Sequence, residues 1–268
     1  MISVIIPVYN SENSIEKALI SIKNQTWKGD FEIIMVNDGS TDESRSIIEN
    51  YINKNPDQNI ALINQENGGV SKARNAAMKT ATGDYIALLD SDDEWYPKKT
   101  ERQISVFESG DLEVDFLGSR RKNHEILYPY KADKNKLALI SFRRLMFRNE
   151  TQPSTVIFKR KILENTGYFD GEQKYAEDLN YWLKISENNK MYILDEELVL
   201  AGDGKRTFGV AGLSANLKEM EKGFQKNLRE MLLSKRITGL EYSLYFIFYK
   251  LKYMVRISRN IYLKLQGK

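Results

Sequence analysis

The 268-residue sequence contains no cysteine and a single histidine, His124. The first absence removes disulfides, thiolate metal sites and a cysteine nucleophile, and the second argues against a His-rich zinc site or a Ser-His-Asp triad. A metal bound by this chain would be held by oxygen. No segment approaches the roughly 20 apolar residues that cross a bilayer; the strongest candidate, YSLYFIFY at 242–249, is eight residues long. The first loop, PVYNSENS, lacks the G-x-G-x-x-G of a dinucleotide site, and no G-x-x-x-x-G-K-[ST] marks a P-loop. No internal repeat or low-complexity segment is present. The opening MISVIIPVYN has neither a basic region nor a small-residue cleavage site, so it reads as a first strand, and a cytoplasmic protein is expected.

What is present is apolar content for one large core, at 41% hydrophobic and 11% aromatic residues. The net charge of +3 is unevenly spread. Residues 201–268 carry 14 Lys and Arg against 5 Asp and Glu, a net of +9, which leaves −6 for residues 1–200. An acidic body with a basic tail follows.

Buried-type strands are expected at 2–6 (ISVII), 31–36 (FEIIMV), 60–63 (IALI) and 85–89 (YIALL). Helical spacing lies between them: Ile15, Ala18, Leu19 and Ile22; then Ile47, Ile48, Tyr51 and Ile52 after the capping-box-like Ser40-Thr41-Asp42-Glu43; then Val70 to Ala81, with Gly83 as its C-terminal cap. This alternation means a parallel α/β sheet with right-handed crossovers, whose ligands bind at the carboxyl ends of the strands. The clusters PVYN, NDGSTD, QENGG and DSDD would all open on that edge. Beyond residue 100 the pattern mixes: 154–160 and 191–201 read as strands, Lys134–Phe147 and Asp178–Glu187 as helices. A second half that completes a cleft is expected.

Asp90 and Asp92 stand two apart on an extended segment, so both carboxylates can approach one hard cation together with phosphate oxygens. A solvated acidic turn ahead of the helix begun near Pro97 reads the same residues without a metal. Asp38 ends the second strand, where doubly wound folds contact a ribose or base, while Asp-Gly-Ser also suits a plain turn with Ser40 as N-cap. In YAEDLNYWLKI, Leu179, Trp182 and Leu183 share one apolar face and leave Glu177 and Asp178 at the helix start. There they either complement the helix dipole or supply a general base. From Lys235 to Lys268, 8 Lys and Arg against one Glu are interleaved with Tyr, Phe, Leu and Ile. That composition fits a helix lying in an anionic membrane surface, or an aromatic stripe packed on the body or on a second copy as a homodimer. Nucleic acid is not expected, because an acidic body repels phosphate chains.

In their order along residues 2–187, VIIPVYN, VNDGSTD, NGGVSKARNAAM, LLDSDD and AEDLNYWLKI resemble the inverting family 2 glycosyltransferases of GT-A type. The resemblance implies a Rossmann-like, mostly parallel sheet flanked by helices, with residues 1–212 as the transferase domain (donor half about 1–100, acceptor half about 101–212) and 213–268 as a helical, basic-aromatic extension. It implies a UDP-sugar donor and Mn²⁺ or Mg²⁺ on Asp92. Pro7, Tyr9 and Asp38 would line the uridine site, with Glu66 at its border and Asp90 and Ser91 on the ribose side. Asp178 would be the base, with Glu177 beside it. The doubled DSDD is similar to non-processive O-antigen and capsule enzymes that add glucose or galactose to a lipid-linked acceptor. The Q-x-x-R-W of processive synthases is absent, so one sugar per encounter is expected. In GDGKRTFG, Lys205 or Arg206 would help neutralise the departing diphosphate, or form an ordinary basic loop. Alternatives are a nucleotidyltransferase, disfavoured by a first loop without Gly and Lys, and an inactive sugar-nucleotide-binding subunit. Peripheral attachment to the inner face of the membrane is the expected location.

Overall fold

Four aliphatic runs form parallel strands: β1 (Ile2–Val8), β2 (Phe31–Asp38), β3 (Asn59–Gln65) and β4 (Tyr85–Leu88). The computed structural model describes residues 1–202 and 212–266. Helices α1 (Ile15–Lys23), α2 (Ser44–Lys54) and α3 (Val70–Thr80) make the crossovers. The other strands are β5 (Glu94–Trp95), β6 (Phe116–Arg121), β7 (Leu137–Ile140), β8 (Ile157–Lys159) and β9 (Met191–Leu200). Together they give a nine-stranded sheet in the order β3-β2-β1-β4-β8-β6-β9-β5, with β7 also paired to β9. β8 runs antiparallel to both β4 and β6, which turns the parallel N-terminal half into a mixed C-terminal half.

Side chains alternate across the sheet, so each strand feeds two cores. Ile5, Ile34, Val36, Ile86 and Leu88 join one cluster with residues of α3, α5 (Phe142–Phe147), α6 (Ile162–Thr166), α7 (Glu177–Ile185) and α8 (Leu217–Leu233). Val4, Ile6, Ile33, Met35, Ala87 and Leu89 join the other, beneath α1, α2 and α4 (Lys99–Glu108). Burial of both faces explains why these strands are almost wholly apolar.

Three local expectations are corrected. Residues 134–147 do not form one helix: Leu137–Ile140 pairs antiparallel with the edge β9 offers, and α5 begins only after Ser141, whose Oγ accepts from the Arg144 amide. Ser40 caps nothing, because α2 begins at Ser44; its hydroxyl accepts from the Asn10 amide instead. Gly83 is not a helix cap either. Its amide donates to Ser3 Oγ at 2.8 Å, and a Cβ there would press on the Ser3 and Met1 backbone.

The C-terminal segment shares the first core. Phe224, Leu228, Met231, Ile237 and Tyr249 are all buried in it. Gly223 of α8 lies so close to the Tyr175 carbonyl that a Cβ would collide with it. Buried amides continue the contact: Gln173 Nε2 and Asn180 Nδ2 both donate to Asn227 Oδ1, at 2.7 and 3.1 Å, and Asn227 Nδ2 donates to the Ala176 carbonyl at 2.9 Å. α9 (Gly239–Leu265) docks by one face, where Tyr249 OH donates to the Met146 carbonyl at 2.7 Å and Phe248 stacks on Phe147 at 4.9 Å. Its opposite face exposes Leu240, Leu244, Ile247, Leu251, Met254, Ile261 and Leu265. No helix among the described residues is long and apolar enough to cross a membrane.

Lys99 is fully buried, and its Nζ, without a hydrogen-bond partner, sits 4.0 Å from the Trp95 ring centroid. Burial pushes the amine well below the usual lysine range. The unfolded chain therefore binds a proton that the folded chain does not, and stability rises with pH up to the ordinary lysine pKa of about 10.4. Lys99→Met keeps the length and places a thioether on the ring. Urea melts at pH 7 are expected to show a gain of about 1–3 kcal/mol and to lose that part of the pH slope; a loss of stability would mean the ring contact outweighs the burial penalty.

Candidate active site

β1 lies between β2 and β4, so the chain reverses its direction of winding there and a crevice opens beyond the strand ends. Three loops close its floor. Asn10, at φ 49°, accepts from the Thr41 amide at 2.9 Å. Ser11 Oγ meets Ser91 Oγ at 2.6 Å. Asp38, at the end of β2, accepts from Gln65 Nε2 at 2.6 Å and from the Gly68 and Gly69 amides at 2.8 Å each. Gly69 has φ +88°, a conformation that favours glycine, and it starts α3 directly below.

These bonds separate residues that face the crevice from residues that shape it. Tyr9 is 52% exposed at the end of β1, and Glu66 is exposed on the rim. Pro7, Asp38 and Ser91, expected to touch substrate, are buried. Pro7 sits in β1 beside Val36, Asp38 holds the 65–69 turn, and Ser91 is tied to Ser11. Arg206 lies outside the described residues.

Beyond β4 the aspartates diverge. The Asp90 amide donates to Ser154 Oγ at 2.9 Å, and its carboxylate, 30% exposed, receives Arg74 Nη2 at 2.6 Å. Asp92 is exposed. Asp93 is buried and accepts from the Gly202 amide at 2.7 Å, which ties this turn to the end of β9. Burial, with the charges of Asp90 and Asp92, pushes its carboxyl up to about 7.

Arg74 joins the two halves. It projects from α3 and is 2% exposed, and its Nη1 donates to Glu177 Oε1 at 3.0 Å while Nη2 holds Asp90. Phe169 lies 5.4 Å from its guanidinium. Burial alone would lower the guanidinium pKa; Asp90 and Glu177 reverse the effect and raise it, so the cation is fixed. Sequence reasoning missed this residue. Its signal was an arginine sharing the buried face of α3 with Ala77 and Met78, where a lone cation needs paired carboxylates.

Glu177 and Asp178 open α7 after Ala176, which adopts left-handed geometry at φ 52°. Glu177 turns to Arg74. Asp178, half-buried, accepts from Asn149 Nδ2 at 3.0 Å and from the Leu179 amide at 2.7 Å. Burial first, and then the charge of Glu177, push its carboxyl up to about 7. A carboxylate of that basicity suits proton abstraction near neutral pH. Asn149 is a second residue that sequence reasoning missed.

Among the described residues, no three carboxylate or histidine groups cluster as a self-contained metal site. Asp92 on the rim, with Asp90 two residues before it, fits a hard cation that draws its other ligands from phosphate oxygens and water.

The profile described as glycosyl transferase family 2 matches residues 3–167. An uncharacterized glycosyltransferase of Rickettsia prowazekii is 32% identical over 255 residues, which is 89% of this chain and 76% of that one. The crystal structure of S. aureus TarS 1–349 in complex with UDP-GlcNAc aligns with a TM-score of 0.69 at 26% identity, over 92% of this chain and 71% of that one. Against another S. aureus TarS crystal structure, this chain spans 39% of the chain's length. The mannosyltransferase PcManGT of Pyrobaculum calidifontis, in complex with GDP-Man and Mn²⁺, shares the fold with a TM-score of 0.66 at 21% identity, over 86% of this chain and 64% of that one.

Proposed function

Because this chain belongs to glycosyl transferase family 2, we propose that it is an inverting, non-processive transferase that moves a hexose, glucose or galactose favoured, from a UDP-sugar to a hydroxyl of a lipid-linked saccharide. The observation that carries this reading is the Arg74 bridge. It joins Asp90 of the DSDD run to Glu177 of the Glu-Asp pair through one buried guanidinium. The UDP-GlcNAc complex of TarS supports a uridine diphosphate sugar as donor.

In the reaction, Asp178 accepts the proton of the acceptor hydroxyl as its oxygen attacks the anomeric carbon. The bond from that carbon to the diphosphate breaks on the opposite face, and UDP and a β-glycoside leave. Asn149 holds the base in line. Tyr9 offers its exposed ring to the uracil face. Mg²⁺ or Mn²⁺ held by Asp92, with Asp90 nearby, would supply charge neutralisation for the departing diphosphate. The exposed aliphatic face of α9, with exposed Arg259 on the same helix, supports attachment to an anionic membrane where a lipid-linked acceptor resides.

The test is UDP release from a panel of UDP-sugars with a GlcNAc-diphosphate-lipid acceptor, by the native chain and by Asp92→Ala. Activity is expected to require added Mg²⁺ or Mn²⁺ and to vanish in the variant. Full turnover by metal-stripped protein in EDTA would remove the metal role, and release of pyrophosphate from a nucleoside triphosphate with a sugar phosphate would favour the nucleotidyltransferase.

A further inference from the structure

The amide of Asn149 can face Asp178 in only one way. Its Oδ1 accepts from the Thr151 backbone amide at 3.1 Å and from Thr151 Oγ1 at 2.9 Å, while its Nδ2 donates to Asp178 Oδ2 at 3.0 Å. A reversed amide would set N–H against the Thr151 backbone N–H, which cannot accept. Thr151 is itself fixed. It is 1% exposed and packs on β6 at Gly118, where a Cβ would collide with Thr151 Cγ2. The charges that flank Asn149 in the chain, Arg148 and Glu150, are engaged with each other at 3.3 Å. Asp178 thus has a donor on each oxygen, Asn149 on Oδ2 and the Leu179 amide on Oδ1 at 2.7 Å. The charged groups that act on it are Glu177 on its own helix, Arg74 of α3 and Asp90 beyond β4. Burial and the two carboxylates favour its protonated form; Arg74 and the two N–H groups favour the ionised one.

We propose that Thr151 and Asn149 are a positioning pair for the base: Thr151, lodged on β6, fixes the Asn149 amide as a one-way donor, and that donor holds Asp178 ionised and in a single orientation. What Asp178 then does rests on the transferase reading above. The N–H of Asn149 is donated and not transferred. The acceptor proton goes to a lone pair that Asp178 retains, since two donors occupy only part of the roughly four acceptor positions of a carboxylate. β6 is itself paired on both sides, to β8 and to β9, so the pair carries the rigidity of the sheet to a residue that α7 alone would leave free to turn.

Asn149→Asp separates this role from a purely structural one. An aspartate keeps both bonds from Thr151, and with them the turn they make, but sets a carboxylate where the N–H stood. Carboxyl carbon NMR on the full chain, with the Asp178 signal assigned by its loss in Asp178→Asn, is expected to show the titration midpoint of Asp178 moved up by about one pH unit or more in this variant. Its kcat at pH 7 is expected to fall about tenfold or more, with the affinity for UDP unchanged. Thr151→Val removes the hydroxyl donor at constant shape; kcat is expected to fall about threefold, and Thr151→Ser to restore it. A midpoint and a kcat both equal to the parent's in Asn149→Asp overturn the pair, and an unchanged kcat in Thr151→Val overturns the part given to Thr151. UDP release from UDP-sugars by the unmodified chain tests the transferase reading separately: if that fails while the midpoint still moves in Asn149→Asp, the transferase reading falls and the pair stands.

Discussion

Asp178→Asn is expected to lower kcat by about 10²- to 10⁴-fold while leaving UDP affinity little changed, because the amide keeps the shape of the side chain but cannot accept a proton. In the native chain, kcat should rise as pH rises toward about 7 and level off above it, since burial and Glu177 hold the Asp178 carboxyl near that value and only the ionised form is a base. Asp93 titrates in the same range. The variant therefore decides which group sets the profile: if its residual rate keeps the same acidic limb, Asp93 and not Asp178 is responsible. Proton coupling at the new linkage should report a β-glycoside from an α-linked donor. An α product, or near-normal turnover by Asp178→Asn, would overturn the assignment. Glu177→Gln should behave differently, because Glu177 is a partner of Arg74, and its loss should appear first in stability.

Arg74→Met carries the second large effect. Asp90 and Glu177 would be left in a partly buried crevice without the cation that both hold. Breaking a buried ion pair by removing one partner costs about 3–5 kcal/mol, a sizeable part of the roughly 5–15 kcal/mol that holds a domain folded. The melting temperature is expected to fall by roughly 10 °C. UDP-sugar turnover should be lost even where the variant is folded, since Asp90 and α7 no longer share an anchor. Arg74→Lys should recover only part of either property, because one ammonium cannot reproduce two directed contacts. A loss under 1 kcal/mol in urea melts would mean that the two carboxylates find other partners and that the bridge is incidental.

The parallel N-terminal half was legible because β-branched runs, helical spacing and polar loop clusters recur in one order there, and burial on both faces leaves no room for another pattern. The positions of Asp90, Asp92 and Asp178 were legible for the same reason: each sits where an element begins or ends. The bonds that Asp38 and Ser91 make were not legible, because their partners lie far along the chain, Gly69 for the first and Ser11 for the second. Nothing in a local stretch says which carboxylate will be consumed by backbone amides of a distant loop. β7 was read as helix because Leu137 to Ile140 has no strand signal of its own beyond being apolar; the open edge of β9 decides it. Arg74 was hidden by its neighbours, since an arginine among alanines reads as an ordinary surface helix until the two carboxylates that neutralise it are brought in from other elements.

The contact between Gly223 and the Tyr175 carbonyl carries a consequence for motion. With no atom's width between α8 and the turn that launches α7, and with the Asn227 amide bonded into that turn, neither helix can open without the other. Native-state hydrogen exchange should therefore find the first amides of α7 and the middle of α8 protected to the same degree and released together as one cooperative unit. The proton acceptor would then be only as well fixed as a helix more than forty residues further along the chain, and a methyl group added at Gly223 should accelerate exchange at both places at once.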